Sequence, residues 1–323
     1  MSIGIVVIGR NEGERLRRCL ESLPGSIEHV VYVDSGSTDD SVETACSMGA
    51  EVVALDVTVP FTAARARNAG FARLRELTVD LQYVQFIDGD CELNEDWLLH
   101  AADFLTAHPD VAIVCGRLRE RYPHDSIYNM LCDIEWDTPI GEAKACGGIA
   151  MIRSIAFEEV DGFMSRLIAG EEPELCIRLR QVGWKIWRID AEMALHHAEM
   201  KKFFQWWKRS VRTGYTFAEG AYLYGSLSER YNVKQSRSSW IWAVVIPLSV
   251  LFTFLGIGSC GLLLLAIYPA QVLRLTLRGH RTRRENYLYA LFLVLGKFPQ
   301  LLGQIKFYLC QYQRSNPQLI EYK

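Results

Sequence analysis

The chain has 323 residues, which is enough for one large domain or for a domain with an appendage, and its net charge is −3. The charge is unevenly distributed: the segment from Trp240 onward carries nine Lys and Arg against two Asp and Glu, a net +7, whereas the remainder carries −10. An acidic body with a basic, apolar tail favours a membrane surface as a partner, and no nucleic-acid partner is expected.

The nine cysteines are scattered and include no Cys-x-x-Cys pair and no zinc-finger spacing. Such a pattern is typical of reduced, buried thiols in a cytosolic protein. The chain opens on the apolar run 3–8 without a basic segment before it, so no signal peptide is expected.

The first third of the chain alternates short apolar runs with amphipathic segments. Strands are predicted over 3–8, 29–33, 51–55, 83–87 and 111–116, and helices around 16–23 and over 41–48, 61–77 and 95–107. Continuous apolar strands that alternate with helices indicate a parallel sheet covered on both faces. The pattern therefore predicts an α/β fold with a doubly wound, mostly parallel sheet.

The region that follows is less regular. Segment 146–153 is interpreted as a glycine entry to a strand, a helix is predicted over 171–182, and a strand over 184–189 precedes His196 and His197. A proline and three acids in the first turn of the helix suit the positive end of its dipole.

Two acidic residues, Asp88 and Asp90, flank Gly89 at the end of the strand over 83–87. Open α/β sheets bind ligands at the carboxyl ends of their strands. Carboxylates this close repel each other unless a cation lies beside them, and Mg²⁺ or Mn²⁺ takes such oxygen ligands together with substrate phosphates. The motif predicts a metal–diphosphate site, although Asp-Gly is also a common turn pair.

After residue 200 the composition becomes basic and aromatic, and then almost wholly apolar. Segment 201–212 interleaves Lys and Arg with Phe and Trp, as in a helix at a membrane interface or a packed helix with a solvated basic face. Segment 240–273 has no charged residue and would make about 50 Å of helix, against a hydrocarbon core of about 30 Å. We interpret it as a hairpin of two short tilted spans or a re-entrant loop, which returns the arginines that follow to the cytoplasmic side.

The last apolar stretch, 287–308, carries two lysines and two glutamines, so it is expected to lie in the interface or on the hairpin. The predicted organisation is a catalytic domain over 1–200, an interfacial helix and linker over 201–239, and membrane-associated helices over 240–323. The catalytic domain is expected on the cytoplasmic face of a cell inner membrane. The alternative is a soluble protein in which these helices form a core.

Five motifs resemble, in the same order, those of the inverting glycosyltransferases of family 2, which have the GT-A fold. They are Asn11-Glu12, Val33-Asp34-Ser35-Gly36-Ser37-Thr38-Asp39, Arg67-Asn68-Ala69-Gly70, Asp88-Gly89-Asp90, and Gly170-Glu171-Glu172-Pro173-Glu174-Leu175 followed by Arg178-Leu179 and Gly183-Trp184. Gly13 stands where the family usually has a second acid, and Glu172 where it usually has Asp. The resemblance implies a GT-A, Rossmann-like, mostly parallel sheet flanked by helices, here followed by a C-terminal membrane-associated helical region.

The resemblance also implies roles for individual residues. Contacts with the nucleotide sugar are expected from Arg10, Glu12, Asp34, Arg67, Asp88 and Gly89. A divalent cation, Mg²⁺ or Mn²⁺, is expected on Asp90, Asp88 and His196. The general base is expected to be Glu172, with Glu171 or Glu174 as substitutes, and acceptor or diphosphate contacts are expected from Arg209, Arg212, Gly147 and Gly148. By their positions alone, Asp34 could instead cap a helix and His196 could be structural.

The expected activity is metal-dependent, inverting transfer of one sugar from a nucleoside-diphosphate sugar, UDP-linked by preference, to a lipid-linked polyprenyl acceptor in surface polysaccharide or glycolipid synthesis. Processive relatives carry Gln-x-x-Arg-Trp near residue 205, which Gln205-Trp206-Trp207-Lys208-Arg209 does not match, so transfer of a single sugar is expected. The alternatives are a polyprenyl-phosphate glycosyl synthase of the dolichyl-phosphate-mannose type and a non-catalytic, sugar-nucleotide-binding membrane scaffold.

Overall fold

The computed structural model describes residues 2–313. Within that range nine strands form one sheet: β1 Ile3–Gly9, β2 His29–Asp34, β3 Glu51–Ala54, β4 Tyr83–Asp88, β5 Cys91–Leu93, β6 Val111–Glu120, β7 Gly141–Glu142, β8 Ala150–Arg153 and β9 Lys185–His196. The strand order is β3-β2-β1-β4-β8-β6-β9-β5, and β7 pairs with β9.

Most of these strands run in the same direction, as the sequence predicts. β1 is parallel to β2 and β4, and β2 is parallel to β3. β8 is antiparallel to both β4 and β6, and β9 is parallel to β6. Six of the nine described strands, β1–β4, β6 and β9, therefore share one direction, while β5, β7 and β8 oppose them.

Helices connect and cover the strands. The α-helices of the described residues are α1 Glu14–Glu21, α2 Ser41–Ser47, α3 Ala63–Leu77, α4 Trp97–Ala107, α5 Ile127–Glu135, α6 Ser154–Glu159, α7 Glu171–Gln181, α8 Phe203–Tyr224, α9 Val233–Trp240, α10 Ile246–Ile257, α11 Ile267–Arg278, α12 Arg283–Leu295 and α13 Lys297–Gln313. α3 packs so closely on β1 that a Cβ added to Gly70 would lie 2.3 Å from a methyl carbon of Val6. The middle of β1 is fully buried, which explains why its sequence is continuously apolar.

The structure extends two strands beyond their predicted ends. β6 runs to Glu120 and β9 to His196, whereas the sequence predicts ends at 116 and 189. The two extensions pair with each other, and β5 pairs with the end of β9. The extensions contain charged residues, so apolar periodicity does not reveal them. They bring His196 opposite Cys91, the residue after Asp90.

The described chain divides into two compact units. The first runs to Pro123 and resumes over Glu135–Ala198, and it contains the whole sheet. The second comprises His124–Ile134 and the described chain from Glu199 onward. Residues 124–134, which form most of α5, thus group with the C-terminal helices, whereas the sequence prediction includes them in the catalytic domain.

The apolar segment of the second unit folds back on itself as a hairpin. A π-helical turn over Ile241–Val245 leads into α10, and a 3₁₀ segment over Gly258–Ala266 leads into α11. Gly258 begins the return with a φ of +71°, a left-handed conformation that glycine adopts without a steric penalty. Across the two arms, the Tyr268 hydroxyl donates to the Trp242 carbonyl at 2.6 Å. The predicted hairpin is therefore present.

Length and apolar composition make two helical stretches of the described chain candidates for crossing a membrane, Val233–Arg278 and Arg283–Gln313. The apolar part of the first stretch is mostly exposed, and the second is more buried. Because the first stretch reverses at Gly258, each of its arms is shorter than the stretch as a whole.

The second of these stretches packs on other helices of its unit. A Cβ added to Gly303 of α13 would lie 1.9 Å from the Val211 carbonyl oxygen on α8. Gln304 is fully buried, and its Oε1 accepts hydrogen bonds from Ser236 and Trp240 of α9. α13 thus packs on α8 and α9, while α12 contacts α11, the second arm of the hairpin.

Candidate active site

One buried arginine joins three carboxylates beside the carboxyl end of β4. Arg67 of α3 donates from Nη1 to Glu171 at 2.8 Å and to Glu172 at 3.1 Å, and from Nη2 to Asp88 at 3.0 Å. Its side chain is 2% exposed. Burial lowers the pKa of this guanidinium, but the three carboxylates outweigh that effect and raise it, so Arg67 stays charged. The sequence predicts Arg67 as a nucleotide contact, and the structure places it among the acids.

Glu171 and Glu172 occupy the first turn of α7. The Glu172 side chain is 17% exposed, more than that of Glu171. Burial and the neighbouring Glu171 carboxylate raise the pKa of Glu172 to about 7, against the opposing effect of Arg67. A carboxylate that titrates near neutral pH suits a general base. Glu174, the other substitute for this base, is held instead by Arg178, which donates to both of its carboxylate oxygens at 2.7 Å.

Asp90 and His196, two of the predicted metal ligands, lie side by side. Asp90 Oδ2 is 3.1 Å from His196 Nε2, and the Cys91 thiol donates to Asp90 Oδ1 at 3.5 Å. Ligand atoms of the three residues all lie within 4.8 Å of one another. A carboxylate oxygen and an imidazole nitrogen suit Mn²⁺ or Mg²⁺, whereas a thiol is a softer donor, so the Asp90–His196 pair fits the predicted cation. Asp88 lies outside this group and accepts from Arg67, so its role as a metal ligand stays a prediction.

Negative charge is concentrated around this strand end. The Cys19 thiol of α1 donates to the Asp88 carbonyl at 3.8 Å. Burial raises the pKa of Cys19 well above its usual value, and the carboxylates of Asp90, Asp88, Glu92 and Glu12 raise it further. A divalent cation at Asp90 would relieve this repulsion.

The loops after β1 and β2 are tied together by side-chain hydrogen bonds. Asn11 Oδ1 accepts from the Thr38 N–H at 2.7 Å, and the Asn11 N–H donates to Ser37 Oγ at 2.9 Å. Asp34 is buried, and its Oδ2 accepts from the N–H groups of Gly36 and Ser37 at 2.9 and 3.0 Å. Asp34 therefore shapes this loop and does not cap α2, which begins seven residues later. Its contact with a nucleotide base stays a prediction.

Arg10 and Glu12 lie in the loop after β1. The exposed Arg10 guanidinium is 4.7 Å from the centre of the Phe61 ring. Glu12 is partly buried and pairs with Arg15 at 2.9 Å. A Cβ added to Gly89 would lie 3.3 Å from Glu12 Cγ, so Glu12 is in contact range of the Asp-Gly-Asp turn. The structure thus brings Glu12 and Gly89 together, and their contacts with a donor stay predictions.

The glycine loop before β8 lies against the Arg67 cluster. A Cβ added to Gly148 would be 2.6 Å from Arg67 Nη2 and 3.1 Å from Glu172 Oε1. A Cβ added to Gly147 would have no described atom within 4 Å. Backbone without side chains allows a ligand to approach closely here. The predicted contact of this loop with acceptor or diphosphate agrees with its place but is not tested by it.

Arg209 and Arg212 lie three residues apart on α8, and therefore on one face of that helix. Both are partly exposed, and both belong to the second unit. Their contact with a diphosphate stays a prediction.

Three further residues of this region were not predicted. The Trp136 ring centre lies 4.7 Å from that of His196, and Cys91 contacts Asp90. Asn68 donates to the Phe163 carbonyl at 2.7 Å and accepts from the Phe163 N–H at 2.9 Å. Asn68 lies inside the Arg67-Asn68-Ala69-Gly70 motif, so the sequence could have indicated it as a site residue. Trp136 lies in an irregular stretch, and only its contact with His196 in the structure indicates that it belongs to the site.

Residues 4–157 match the family model described as glycosyl transferase family 2. The match covers just under half of the chain, so residues 4–157 carry a domain like that of the family. The resemblance carried by the motifs within residues 4–157 is confirmed, and the curated proteins that this chain resembles are glycosyltransferases by name.

Two curated glycosyltransferases are similar to this chain in sequence. A pre-mycofactocin glycosyltransferase of Mycobacterium tuberculosis is 26% identical over 231 residues, which cover 66% of this chain and 46% of the relative. The O-antigen chain rhamnosyltransferase RfbN of Salmonella typhimurium is 23% identical over 216 residues, which cover 61% of this chain and 67% of the relative. The chain thus matches about half the length of the mycobacterial relative.

Solved structures share the fold of this chain. The mannosyltransferase PcManGT of Pyrobaculum calidifontis, solved with GDP-Man and Mn²⁺, has a TM-score of 0.65 at 17% identity, covering 95% of this chain and 86% of that one. Residues 1–349 of TarS from S. aureus have a TM-score of 0.52 at 15% identity, covering 93% and 92%. At these identities the likeness concerns the fold alone, and it confirms the predicted GT-A class.

Proposed function

We propose that this protein is a metal-dependent, inverting glycosyltransferase that moves one sugar from a nucleoside-diphosphate sugar, UDP-linked by preference, to a lipid-linked acceptor. The observation that carries the proposal is that Arg67 contacts Glu171, Glu172 and Asp88. Asp88 lies two residues before Asp90, the candidate metal ligand. A candidate base and a candidate diphosphate site are thereby adjacent. The GDP-Man and Mn²⁺ bound by the Pyrobaculum enzyme support a nucleotide sugar and a divalent ion here too.

The side chains of this site are suited to one displacement step. Glu172, with a pKa of about 7, accepts the proton of the acceptor hydroxyl as that oxygen attacks the sugar. Arg67 holds Glu172 in place and favours its ionised form. A divalent cation bound at Asp90 and His196 would neutralise charge on the departing diphosphate.

The lipid-linked acceptor is proposed from the second unit. Its hairpin exposes large apolar side chains, including Phe252, Leu255 and Leu263. Exposed apolar surface of this extent indicates contact with a membrane or another apolar partner. Arginines follow the hairpin directly, as expected on the cytoplasmic side. We accordingly assign the catalytic domain to 1–200, the interfacial helix and linker to 201–239 and the membrane-associated helices to the described part of 240–323, with the active site on the cytoplasmic face of the inner membrane; residues 314–323 lie outside the described residues.

The decisive experiment supplies the full-length protein, in detergent or liposomes, with a panel of UDP-, GDP- and dTDP-sugars and membrane-extracted lipid. Product is followed by mass, with and without Mg²⁺ or Mn²⁺. We expect a lipid product that carries one added sugar, formed most rapidly from a UDP-sugar and abolished by EDTA.

Variants assign the roles in the same assay. Glu172→Gln and Asp90→Asn should each lower turnover by at least about 100-fold, the usual contribution of a general base or a charge-stabilising ligand. Glu43→Gln, an exposed acid on α2, is the matched control and should leave turnover unchanged. Full turnover by Asp90→Asn would refute the metal site, and full turnover by Glu172→Gln would refute the base. Product on soluble acceptors only would refute the lipid-linked acceptor.

A further inference from the structure

A pair of buried arginines lies in the first unit outside the cluster around Arg67. Arg117 of β6 and Arg188 of β9 have side chains that are 8% and 7% exposed. Both approach the same atom, Asp137 Oδ1, at 3.6 Å from Arg117 Nε and 3.6 Å from Arg188 Nη2. Two guanidinium groups thus converge on one carboxylate oxygen.

The contacts made by Arg188 are long for a buried guanidinium. Its Nε donates to the Gly116 carbonyl at 3.5 Å, and its other hydrogen bond or ion pair within residues 2–313 is the pair with Asp137 at 3.6 Å. Strong N–H···O bonds to charged acceptors measure about 2.7–2.9 Å. A guanidinium has five N–H donors, and burial with so few short hydrogen bonds is costly. The side chain therefore has donor capacity left for an anionic ligand.

Asp137 can be displaced from this position. Its side chain is 44% exposed, and it lies between α5 and β7 in an irregular stretch that is exposed over residues 137–140. A half-exposed carboxylate at 3.6 Å gains little from its ion pairs, because solvent screens them. These two ion pairs are therefore weak, and a ligand of higher charge can compete with Asp137 for the arginines.

The position of Asp137 connects the arginines to the candidate active site. Trp136, the preceding residue, packs its ring 4.7 Å from the ring of His196, the candidate metal ligand. A group that takes the place of Asp137 at the arginines would therefore displace the chain neighbour of Trp136, which contacts the candidate metal ligand.

We propose that Arg117 and Arg188 bind a phosphoryl group, and that Asp137 occupies the same place when the group is absent. A tetrahedral dianion has several oxygens and twice the charge of a carboxylate, so it can accept from two converging guanidinium groups at once. Where the proposed function holds, the group is an anionic part of the acceptor, either a lipid phosphate or a phosphate of the glycan; binding of the anion itself does not depend on that function.

The experiment measures binding of inorganic phosphate and pyrophosphate to the full-length protein by calorimetry, in EDTA so that no cation holds phosphate at Asp90. We expect Asp137→Asn to tighten phosphate binding roughly three- to tenfold, because it removes the competing charge. Arg188→Met should weaken binding roughly tenfold or more, the range for hydrogen bonds to a charged group. Arg119→Met is the matched control: this arginine, also on β6, is exposed and paired with Glu192, and its loss should change nothing.

Unchanged phosphate affinity in Asp137→Asn would overturn the proposal, and this variant changes an exposed side chain, so it should fold. Equal weakening by Arg119→Met and Arg188→Met would overturn it as well, since binding would then be non-specific. Acetate that binds as tightly as phosphate would refute the phosphoryl specificity.

Two further measurements identify the molecule that carries the phosphoryl group and separate this proposal from the proposed function. Binding to vesicles with and without a polyprenyl phosphate, compared with binding of soluble phosphate, distinguishes a lipid phosphate from a free one. Tighter binding of either by Asp137→Asn supports the site. UDP binding with Mn²⁺ is measured on the same variants. Absent UDP binding with intact, Asp137-sensitive phosphate binding would contradict the proposed function alone.

Discussion

Arg67 is the side chain on which the arrangement of the acids depends. It comes from α3, and it contacts Glu171 and Glu172 more than a hundred residues later as well as Asp88 at the end of β4. The Arg67 guanidinium thus compensates the negative charge of three carboxylates that would otherwise repel one another. The same contact orients the candidate base and opposes the rise of its pKa.

Replacing Arg67 by methionine should destabilise the first unit strongly. Three carboxylates would lose their shared partner in a buried place, which costs about 3–5 kcal/mol of the free energy of unfolding. Urea denaturation followed by tryptophan fluorescence measures it. Arg75→Met on the same helix removes a half-exposed pair with Glu158 and should cost less than about 1 kcal/mol. Similar losses in the two variants would show that the Arg67 contacts are not special.

The pKa of Glu172 predicts the pH dependence of the reaction. The residue acts as a base only when it is deprotonated, and its pKa is raised from the ordinary 4.5 to about 7. Turnover should therefore fall as the pH drops below about 7 and should level off above about 8. Steady-state kcat/KM measured between pH 5 and 9 tests this; a profile that stays flat down to pH 5 would contradict Glu172 as the base.

Close contacts with neighbouring side chains or backbone explain several glycines in the secondary-structure elements and loops. Gly148 allows the loop before β8 to lie against Arg67 and Glu172. Gly214 of α8 lies against Gln300, and Gly303 of α13 lies against Val211. Small residues of this kind let two helices approach closely, as in membrane helix pairs.

Gly148→Ala should lower the free energy of unfolding by about 1–3 kcal/mol, because its Cβ would come within 2.6 Å of Arg67 Nη2. Gly147→Ala, with no described atom within 4 Å of the new Cβ, should change that free energy by less than about 0.5 kcal/mol. Chemical denaturation of the two variants side by side makes the comparison. Equal effects would mean that the loop does not rest on the cluster.

Gly303→Ala should separate α13 from α8, since the added Cβ would lie 1.9 Å from a backbone oxygen that cannot rotate away. The expected loss is about 2 kcal/mol or more. Gly256→Ala in α10 is the matched helical control, because no described atom lies within 4 Å, and there alanine's higher helix propensity should make the change neutral or stabilising. Thermal unfolding in detergent distinguishes the two; a Gly303→Ala protein as stable as Gly256→Ala would contradict the close helix contact.

Residues 2–313 combine a GT-A unit with a helical unit that exposes an apolar hairpin. Attachment to a bilayer through that hairpin accounts for the surface that water would otherwise contact. The charge distribution agrees, because the chain from Trp240 onward carries a net +7 and the remainder carries −10.

Lysines placed at the exposed turn of the hairpin should weaken membrane attachment. Leu255 and Leu263 are 71% and 75% exposed, and each lysine costs about 2.5–3.5 kcal/mol near the centre of a bilayer. Liposome flotation should show less bound protein for the Leu255→Lys/Leu263→Lys variant. Val79→Lys, at an 82% exposed position of the first unit, is the control and should float like the wild type. Unchanged flotation of the double variant would exclude the hairpin as an anchor.

The sequence by itself determined the features that repeat locally. Apolar periodicity located the parallel strands, and the acids at the end of β4 and the start of α7 were visible as motifs. The hairpin followed from a length too great for one span and too short for two. These predictions succeed because strand burial, helix capping and bilayer thickness each act on contiguous residues.

The tertiary structure alone decided which distant side chains meet. Nothing local to Arg67 indicates that it contacts Glu171 and Glu172, or that Arg117, Arg188 and Asp137 converge. The antiparallel β8 between β4 and β6, and the charged end of β9, were likewise set by pairing across the sheet. Such contacts join residues far apart in sequence, and their energy depends on burial and distance, which exist only once the sheet has formed.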